Sequence, residues 1–165
     1  ALTQKIGLVS KDTIIDYCHL LERMDILIDL QAFDQNKKQG FPRKARKFHF
    51  FDPFIYQTIL NWIKKEGRLN HLDIESTLVE ACVASHCYRH YKTFYFKGQG
   101  EVDVIFLKKE IVQAIEVKWS HQIRPADLKT LKQFKYAIVV SKSLASGDHE
   151  GLLSRPVCQF LYEFD

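Results

Sequence analysis

The order of hydrophobic patterns in the second half of the chain limits the fold more than any other feature of the sequence. Apolar residues recur at helical spacing from Asp73 to about His90, and strand-like stretches follow. Three strands are predicted in succession, at residues 93–96, 101–107 and 112–119. Pro125 then opens a short helix, a strand follows at 136–140, and residues 157–164 could form one more. The sequence therefore predicts an α/β domain with the order αβββαβ.

The first part of the chain shows a different order: helix, strand, loop, strand and helix. Ser10 can cap the first helix, and residues 25–33 then alternate between apolar and polar side chains as a strand does. A polar loop follows, and residues 48–51 return as a second strand. Asp52-Pro53 begins a helix that runs to about Lys65. A helix followed by a two-stranded ribbon resembles a winged helix, in which the ribbon is the wing.

Positive charge is concentrated in this first part. The chain carries 24 Lys and Arg against 20 Asp and Glu, and the whole excess lies within residues 1–70. This asymmetry indicates two units, a winged-helix-like module at 1–68 and the α/β domain at 69–165. Six cations lie in or beside the ribbon, namely Lys37, Lys38, Arg43, Lys44, Arg46 and Lys47. They could contact DNA phosphates, or they could belong to a solvated loop or to a packing surface between domains.

Two acidic residues face each other in the hairpin that the second and third strands of the α/β domain form. Facing residues of an antiparallel hairpin have a constant sum of residue numbers, so a turn at 109–110 pairs Asp103 with Glu116. Lys118 lies two residues beyond Glu116 and shares this face of the sheet, as does Glu101. Facing carboxylates repel each other. The arrangement therefore predicts a bound cation.

A divalent cation would remove this repulsion, and hard oxygen ligands suit Mg²⁺ or Mn²⁺. Such a cation activates water and stabilises the negative charge of a phosphodiester under attack. Lys118 could orient the water or stabilise the same charge. Without a cation, Asp103, Glu116 and Lys118 would form an exposed ladder of charged side chains.

The segments EVDVI at 101–105 and IEVK at 115–118 resemble the core motif of the PD-(D/E)XK nucleases. Restriction-endonuclease-like domains of this family have the order αβββαβ, with a central mixed sheet flanked by helices. Many members carry a proline where this chain has Val102. The resemblance implies a metal-dependent nuclease, which is a hydrolase acting on DNA.

The same resemblance assigns roles to individual residues. It implies a catalytic set made of Asp103, Glu116, Lys118 and Glu80. In this set Asp103, Glu116 and Glu80 would ligate the metal, and Lys118 would be the catalytic lysine. Glu75 is a rival to Glu80 on the same predicted helix, and Lys129 and Gln133 are candidates for the polar residue of the next helix.

Nearly the whole chain is similar to the C-terminal region of prokaryotic and archaeal-type AAA ATPases. The motif GxxxxGK[ST] is missing from the sequence, so no ATP site is expected in it. The chain begins with Ala1 rather than Met, and we expect a C-terminal fragment whose ATPase domain lies upstream in the same polypeptide. The predicted function is a metal-dependent DNA phosphodiesterase. The alternative is a non-catalytic DNA- or protein-binding module that regulates the ATPase.

The remaining features favour a cytoplasmic protein. No apolar run approaches the ~20 residues of a membrane span, and no signal peptide opens the sequence. The four cysteines form no CxxC pair, so we expect free thiols. Cys82, His86 and His90 recur on one face of the predicted helix and could form a zinc site, although no fourth ligand is evident. The sequence does not determine the oligomeric state.

Overall fold

A computed structural model describes residues 10–63, 71–120, 123–143 and 145–164 of the chain. The N-terminal elements are α1 (Lys11–Arg23), β1 (Leu27–Gln31), β2 (Phe33–Asp34), β3 (Gln39–Gly40), β4 (Arg46–Phe50) and α2 (Pro53–Ile63). The C-terminal elements are α3 (His71–His90), β5 (Lys92–Lys97), β6 (Glu101–Lys108), β7 (Ile111–Lys118), α4 (Pro125–Leu128), β8 (Ala137–Ser141), β9 (Gly147–His149), β10 (Leu152–Pro156) and α5 (Val157–Tyr162). A 3₁₀ turn at Leu131–Gln133 precedes β8. The predicted end of the second helix, at about Lys65, lies outside these residues.

The predicted class and order of elements are confirmed, because α3, β5, β6, β7, α4 and β8 follow one another as αβββαβ. Strands β5 to β10 form one six-stranded sheet in the order β5-β6-β7-β8-β10-β9. β8 runs parallel to β7, and β10 runs parallel to β8, whereas the other neighbours are antiparallel. The chain reaches β8 from β7 through α4 and the 3₁₀ turn, which is the crossover that a parallel pair needs. No helix in the described part of the chain is long and apolar enough to cross a membrane.

Two hydrophobic clusters hold this sheet between helices. The first cluster joins sheet residues such as Val104 to Val83 of α3 and Phe160 of α5. The second joins Ile105 and its neighbours to the short helical segments that precede β8. There three apolar residues of these segments are buried: Leu128, Leu131 and Phe134. From Val104 to Phe106 successive residues of β6 contact opposite clusters, as the period of a strand requires. Val102 departs from this alternation and lies in the second cluster, where the pairing of β6 with β5 shifts register.

The N-terminal ribbon forms as predicted and packs on the sheet. β1 and β4 pair antiparallel, and β2 and β3 form its tip. Three of its apolar side chains are fully buried in the first cluster: Ile28, Leu30 and Ala32. A parallel bridge between Ala32 and Tyr95 joins the ribbon to β5 at the edge of the sheet. Residues of both predicted units therefore share one cluster, while the predicted boundary at residue 68 lies outside the described residues.

The predicted last strand at residues 157–164 is wrong. Val157–Tyr162 is the helix α5. The apolar side chains that pack on the first cluster recur at intervals of three and four residues: Val157, Phe160, Leu161 and Phe164. This spacing is that of one face of a helix, so the burial of four side chains together favours a helix here.

The sequence patterns did not predict β10, which pairs with β8 on the side away from β7. Its buried residues are Leu152, Ser154 and Pro156. Ser154 breaks the apolar alternation that marks a half-buried strand, and its hydroxyl lies 3.2 Å from the hydroxyl of Ser141 on β8. A buried polar residue satisfied by a neighbouring strand is invisible in a hydrophobic pattern.

A two-residue turn joins β6 to β7 and sets their register. Lys109 and Glu110 both adopt the left-handed conformation, with φ of 49° and 63°. The strands then pair Val104 with Ile115 and Leu107 with Val112. The turn lies at the predicted position, and the pairs from Val104–Ile115 to Lys108–Ile111 have the predicted register. The predicted pair of Asp103 with Glu116 lies just beyond the last of these pairs.

Candidate functional site

The ends of β6 and β7 bring the two predicted carboxylates together. The last Cα pair of their ladder is Val104 with Ile115, so Asp103 and Glu116 are the next facing positions. The Asp103 carboxylate replaces a ladder carbonyl there, because its Oδ2 accepts a hydrogen bond from the amide of Val117 at 2.9 Å. One oxygen of Asp103 is thereby fixed, and the other is directed toward α3 and the ribbon, where its contacts lie.

Glu116 is a buried carboxylate with one cationic neighbour. Its side chain is 7% exposed, and its Oε1 lies 2.7 Å from the ammonium of Lys118. Its Oε2 is buried and has no hydrogen-bond partner among the described residues. Burial and the nearby charge of Asp103 raise the pKa of Glu116 to about 7, although Lys118 acts in the opposite direction.

Glu80 reaches the same region from α3, where an ammonium group of the ribbon contacts it. Lys47 of β4 forms ion pairs with Glu80, with Glu101 at 2.9 Å and with Asp103 at 3.3 Å. The side chains of Lys47 and Glu80 are only 22% and 21% exposed. We call Glu80, Glu101, Asp103 and Glu116 the acidic cluster. Lys47 links three members of this cluster, one from α3 and two from β6.

The electrostatics of Lys47 follow from this position. Burial lowers the pKa of an ammonium, but the charges of Asp103 and Glu80 outweigh it and hold the pKa of Lys47 above its usual value. Lys47 is therefore fully charged at neutral pH. Burial and Asp103 raise the pKa of Glu80, while Lys47 acts against that rise. Lys47 thus compensates Glu80 and Asp103, while Lys97 also pairs with Glu101 and Lys118 with Glu116.

His49 lies beside the acidic cluster as a neutral ring. It is buried, and its Nε2 is 3.6 Å from Oε1 of Glu80. Burial and the charge of Lys47 lower the pKa of His49 to about 4. At neutral pH the imidazole is uncharged, so its closeness to Glu80 is not an ion pair.

The acidic cluster does not form a compact group of metal ligands. Within the described residues, the one set of three side chains whose ligand atoms all lie within 4.8 Å of one another is His19, Glu22 and Asp29. The guanidinium of Arg46 already contacts Asp29 there and lies 3.4 Å from Nε2 of His19. The group of His19, Glu22 and Asp29 therefore already has a cationic partner, the side chain of Arg46. In the acidic cluster, the ammonium of Lys47 lies among the carboxylates.

The six predicted cations of the ribbon do not form one surface. Four of them are exposed, namely Lys37, Lys38, Arg43 and Lys44. Arg46 and Lys47 are half-buried in the ion pairs described above. The ammonium of Lys38 donates to the carbonyl of Glu110 at 3.1 Å, and that of Lys44 donates to the carbonyl of Lys97 at 2.9 Å. These two contacts lie at opposite ends of β6, so the exposed cations are spread along the ribbon.

The other candidates lie away from the acidic cluster. Glu75, the rival of Glu80, accepts a hydrogen bond from the indole of Trp119 at 3.0 Å and lies 3.5 Å from the ammonium of Lys142. Lys129 and Gln133 are exposed near the second hydrophobic cluster. The rings of His86 and His90 pack against Phe164, which makes them part of an aromatic cluster rather than of a zinc site.

The sequence analysis placed Lys47 at a DNA-binding wing and overlooked His49. The signal was present in the ribbon, because β4 pairs Lys47 with Leu30 and His49 with Ile28. Residues that pair across a hairpin share a face of it. Ile28 and Leu30 were predicted to lie on the apolar face of the ribbon, so Lys47 and His49 should have been expected on that inner face as well.

The comparison with protein families agrees with the predicted association with AAA ATPases. Residues 75–153 match the family model described as Domain of unknown function (DUF4143), a domain typically found in AAA ATPase-associated proteins. The match covers just under half of the chain and includes most of α3 and strands β5 to β9. No curated protein matches the chain. No solved structure matches it either.

Proposed function

We propose that the chain is a metal-dependent phosphodiesterase that cleaves DNA. The observation that carries this proposal is the position of Glu116 beside Asp103, with the ammonium of Lys118 2.7 Å from Glu116. Two carboxylates and a lysine are thus gathered where β6 and β7 separate, in the order that the PD-(D/E)XK motif requires. A surface hairpin gains no stability from facing like charges, so the arrangement favours a functional origin.

The ligand chemistry of the residues present fits a hard divalent cation, and binding would have to draw their carboxylates closer together. The buried Oε2 of Glu116 has no hydrogen-bond partner among the described residues, and a buried carboxylate oxygen of this kind is costly unless something binds it. Asp103 and Glu116 would hold Mg²⁺ or Mn²⁺, with Glu80 as a further ligand, because these ions prefer carboxylate oxygens. When bound, such an ion supplies a hydroxide nucleophile at neutral pH and stabilises charge on the phosphate.

The chain's own residues supply positioning and charge. Asp103 is held by the amide of Val117, so its free oxygen has a fixed direction. Lys118 contacts the carboxylate beside it and can stabilise negative charge on a phosphate that approaches Glu116. Exposed cations in the stretch of the ribbon that follows β3, such as Arg43, can bind the DNA backbone. These contacts do not depend on base sequence, and they support DNA as a class of substrate.

A second function is favoured by the position of Lys47. Its ammonium already compensates Glu80, Glu101 and Asp103, so the folded chain needs no metal to tolerate them. The chain would then be a non-catalytic DNA- or protein-binding module. The matched domain is typically found in AAA ATPase-associated proteins, and this association supports an upstream ATPase as the regulated partner.

A cleavage assay separates the two functions. Supercoiled plasmid and single-stranded DNA are incubated with the chain and Mg²⁺ or Mn²⁺, and Lys118→Met is compared with Lys108→Met. Both lysines lie on the β6–β7 hairpin, but Lys108 is at the turn end, far from the acidic cluster along the strand. We expect Lys118→Met to lower the cleavage rate by a factor of about 100 or more and Lys108→Met to leave it unchanged.

The result that contradicts the nuclease is an absence of cutting that persists when the upstream polypeptide is restored. DNA binding in EDTA that is weakened by Arg43→Glu would then support the binding module. Cleavage that is equal in wild type and Lys118→Met would point to a contaminating nuclease.

A further inference from the structure

We propose that Lys47 exchanges between two partners: its ammonium holds the acidic cluster together in the absence of a cation, and it binds a DNA phosphate once a divalent cation enters. The inference rests on the proposed function for its DNA partner, while its cation step concerns this chain alone. It gives Lys47 the role of a positioning residue that links cation binding to DNA binding. In the absence of DNA, the same contacts make Lys47 a competitor of the cation.

An ammonium and a metal ion cannot occupy the acidic cluster together. Lys47 contacts Glu80, Glu101 and Asp103, and these contacts include two of the three proposed metal ligands. A cation bound to Glu80 and Asp103 would lie within ion-pair distance of the ammonium. Two like charges about 4 Å apart repel each other by several kcal/mol even at an effective dielectric constant of about 20. Lys47 must therefore leave when the cation binds.

Lys47 leaves part of the acidic cluster unsatisfied. It forms ion pairs with three members, but no ion pair in the described residues joins it to Glu116. The Glu116 side chain is 93% buried, and its Oε2 keeps no hydrogen-bond partner within those residues. An ammonium therefore compensates the cluster incompletely, and a multivalent ion that bridges Asp103 and Glu116 would do what Lys47 does not.

Once released from the acidic cluster, the ammonium of Lys47 can reach a new anionic partner. It belongs to β4, so it follows directly on the exposed cations of the ribbon, among them Arg43 and Lys44. Its side chain is 22% exposed, so the ammonium is not sealed in the core. A long, flexible lysine that loses its carboxylates can turn toward solvent, where a backbone phosphate bound by the ribbon would offer a new anion. The displaced charge would then strengthen DNA binding.

The first test measures Mn²⁺ affinity by isothermal titration calorimetry without DNA. Lys47→Met is compared with wild type and with the matched control Lys44→Met, which removes an equal charge from the ribbon. Within the described residues, the ammonium of Lys44 contacts the carbonyl of Lys97 and the ring of Phe41. We expect Lys47→Met to bind Mn²⁺ about tenfold more tightly or better, and Lys44→Met to match wild type. Equal affinities of Lys47→Met and wild type would overturn the inference.

A second measurement needs no substitution and therefore does not depend on the stability of a variant. The side-chain Cε signals of the lysines are followed by NMR while Mg²⁺ is added to the wild-type chain. We expect the Lys47 signal to shift and sharpen as the ammonium leaves the carboxylates, and the Lys44 signal to stay in place. A Lys47 signal that is unchanged at saturating Mg²⁺ would overturn the inference.

The DNA step is tested by fluorescence anisotropy of a labelled duplex with and without Ca²⁺, a hard cation that takes the same oxygen ligands. We expect Ca²⁺ to tighten DNA binding by wild type and Lys44→Met, and to leave Lys47→Met unaffected, because cation and DNA affinities are linked reciprocally. If the cation results hold and no DNA is ever cut, the nuclease proposal fails alone. If wild type cuts DNA but Lys47→Met binds Mn²⁺ no better, the exchange fails alone.

Discussion

At the scale of single residues, the carboxyl group of Glu116 is costly to ionise. Its side chain is buried, and its pKa of about 7 lies above the usual value of 4.5. The folded chain therefore binds this proton more tightly than the unfolded chain does. As the pH rises from about 4.5 to 7, the free energy of unfolding falls, and above pH 7 the whole cost of the buried charge is present.

We expect Glu116→Gln to be more stable relative to wild type at pH 8 than at pH 5, when both are measured in EDTA. The difference between the two pH values should be on the order of 2 kcal/mol, because the amide cannot ionise. Urea unfolding at both pH values checks this, with Glu163→Gln as the control in an exposed carboxyl that pairs with Arg155. A stability difference that does not change with pH would contradict the prediction.

The candidate residues on the hairpin could be predicted, whereas their counter-ion could not. Asp103, Glu116 and Lys118 follow from strand parity and the position of one turn, which are local properties of the sequence. Lys47 is 56 residues from Asp103, and only the packing of the ribbon on α3 and β6 brings them together. The sequence pattern could have indicated that Lys47 lies on the inner face of the ribbon. It could not have indicated which elements this face packs against.

At the scale of elements, the turn of the β6–β7 hairpin is strained by its residues. Lys109 and Glu110 both have positive φ, a conformation that costs residues with a Cβ about 1 kcal/mol or more each. Asn-Gly is the favoured pair in such a turn. We expect Lys109→Asn with Glu110→Gly to raise the free energy of unfolding by about 1 kcal/mol, as measured by urea unfolding.

The double alanine variant at the same turn is the control, because it keeps both Cβ atoms and should not be stabilised. A lower unfolding midpoint for the Asn-Gly variant would show that the turn is held by contacts of the two side chains instead. The result bears on the site, since this turn fixes the register of the ladder that ends beside Asp103 and Glu116.

The elements that were predicted poorly share one physical cause. α5 and β10 are short, and tertiary packing rather than local periodicity determines their conformation. α3 and the β6–β7 hairpin were predicted well because each is long enough to show its period. The six residues of α5 look like a strand in isolation, and only the burial of Phe160 and Phe164 on a common face distinguishes the helix.

At the scale of the whole molecule, the ribbon and the sheet are joined by a common core. Leu30 of β1 is fully buried in the cluster that also contains Val83 and Val104. We expect Leu30→Ala to lower the free energy of unfolding by about 2–5 kcal/mol. We also expect one cooperative transition that shifts as a unit, followed by circular dichroism and by tryptophan fluorescence during urea unfolding.

Leu20→Ala in α1 is the matched control, because Leu20 is 51% exposed and its truncation should change the free energy of unfolding little. Two separate transitions, of which Leu30→Ala shifts only the first, would instead support independent units at 1–68 and 69–165. The charge asymmetry that suggested two units describes their surfaces and carries no information about a shared core.

The contact between Lys47 and the acidic cluster also limits how this chain can be rearranged by recombination or design. A ribbon transplanted onto another scaffold would bring a half-buried ammonium without its carboxylates, and the sheet left behind would keep carboxylates without their ammonium. Each half would carry a buried charge that destabilises it. The ribbon and the sheet can therefore be transferred to another protein only as a single unit, even though their surface charges differ.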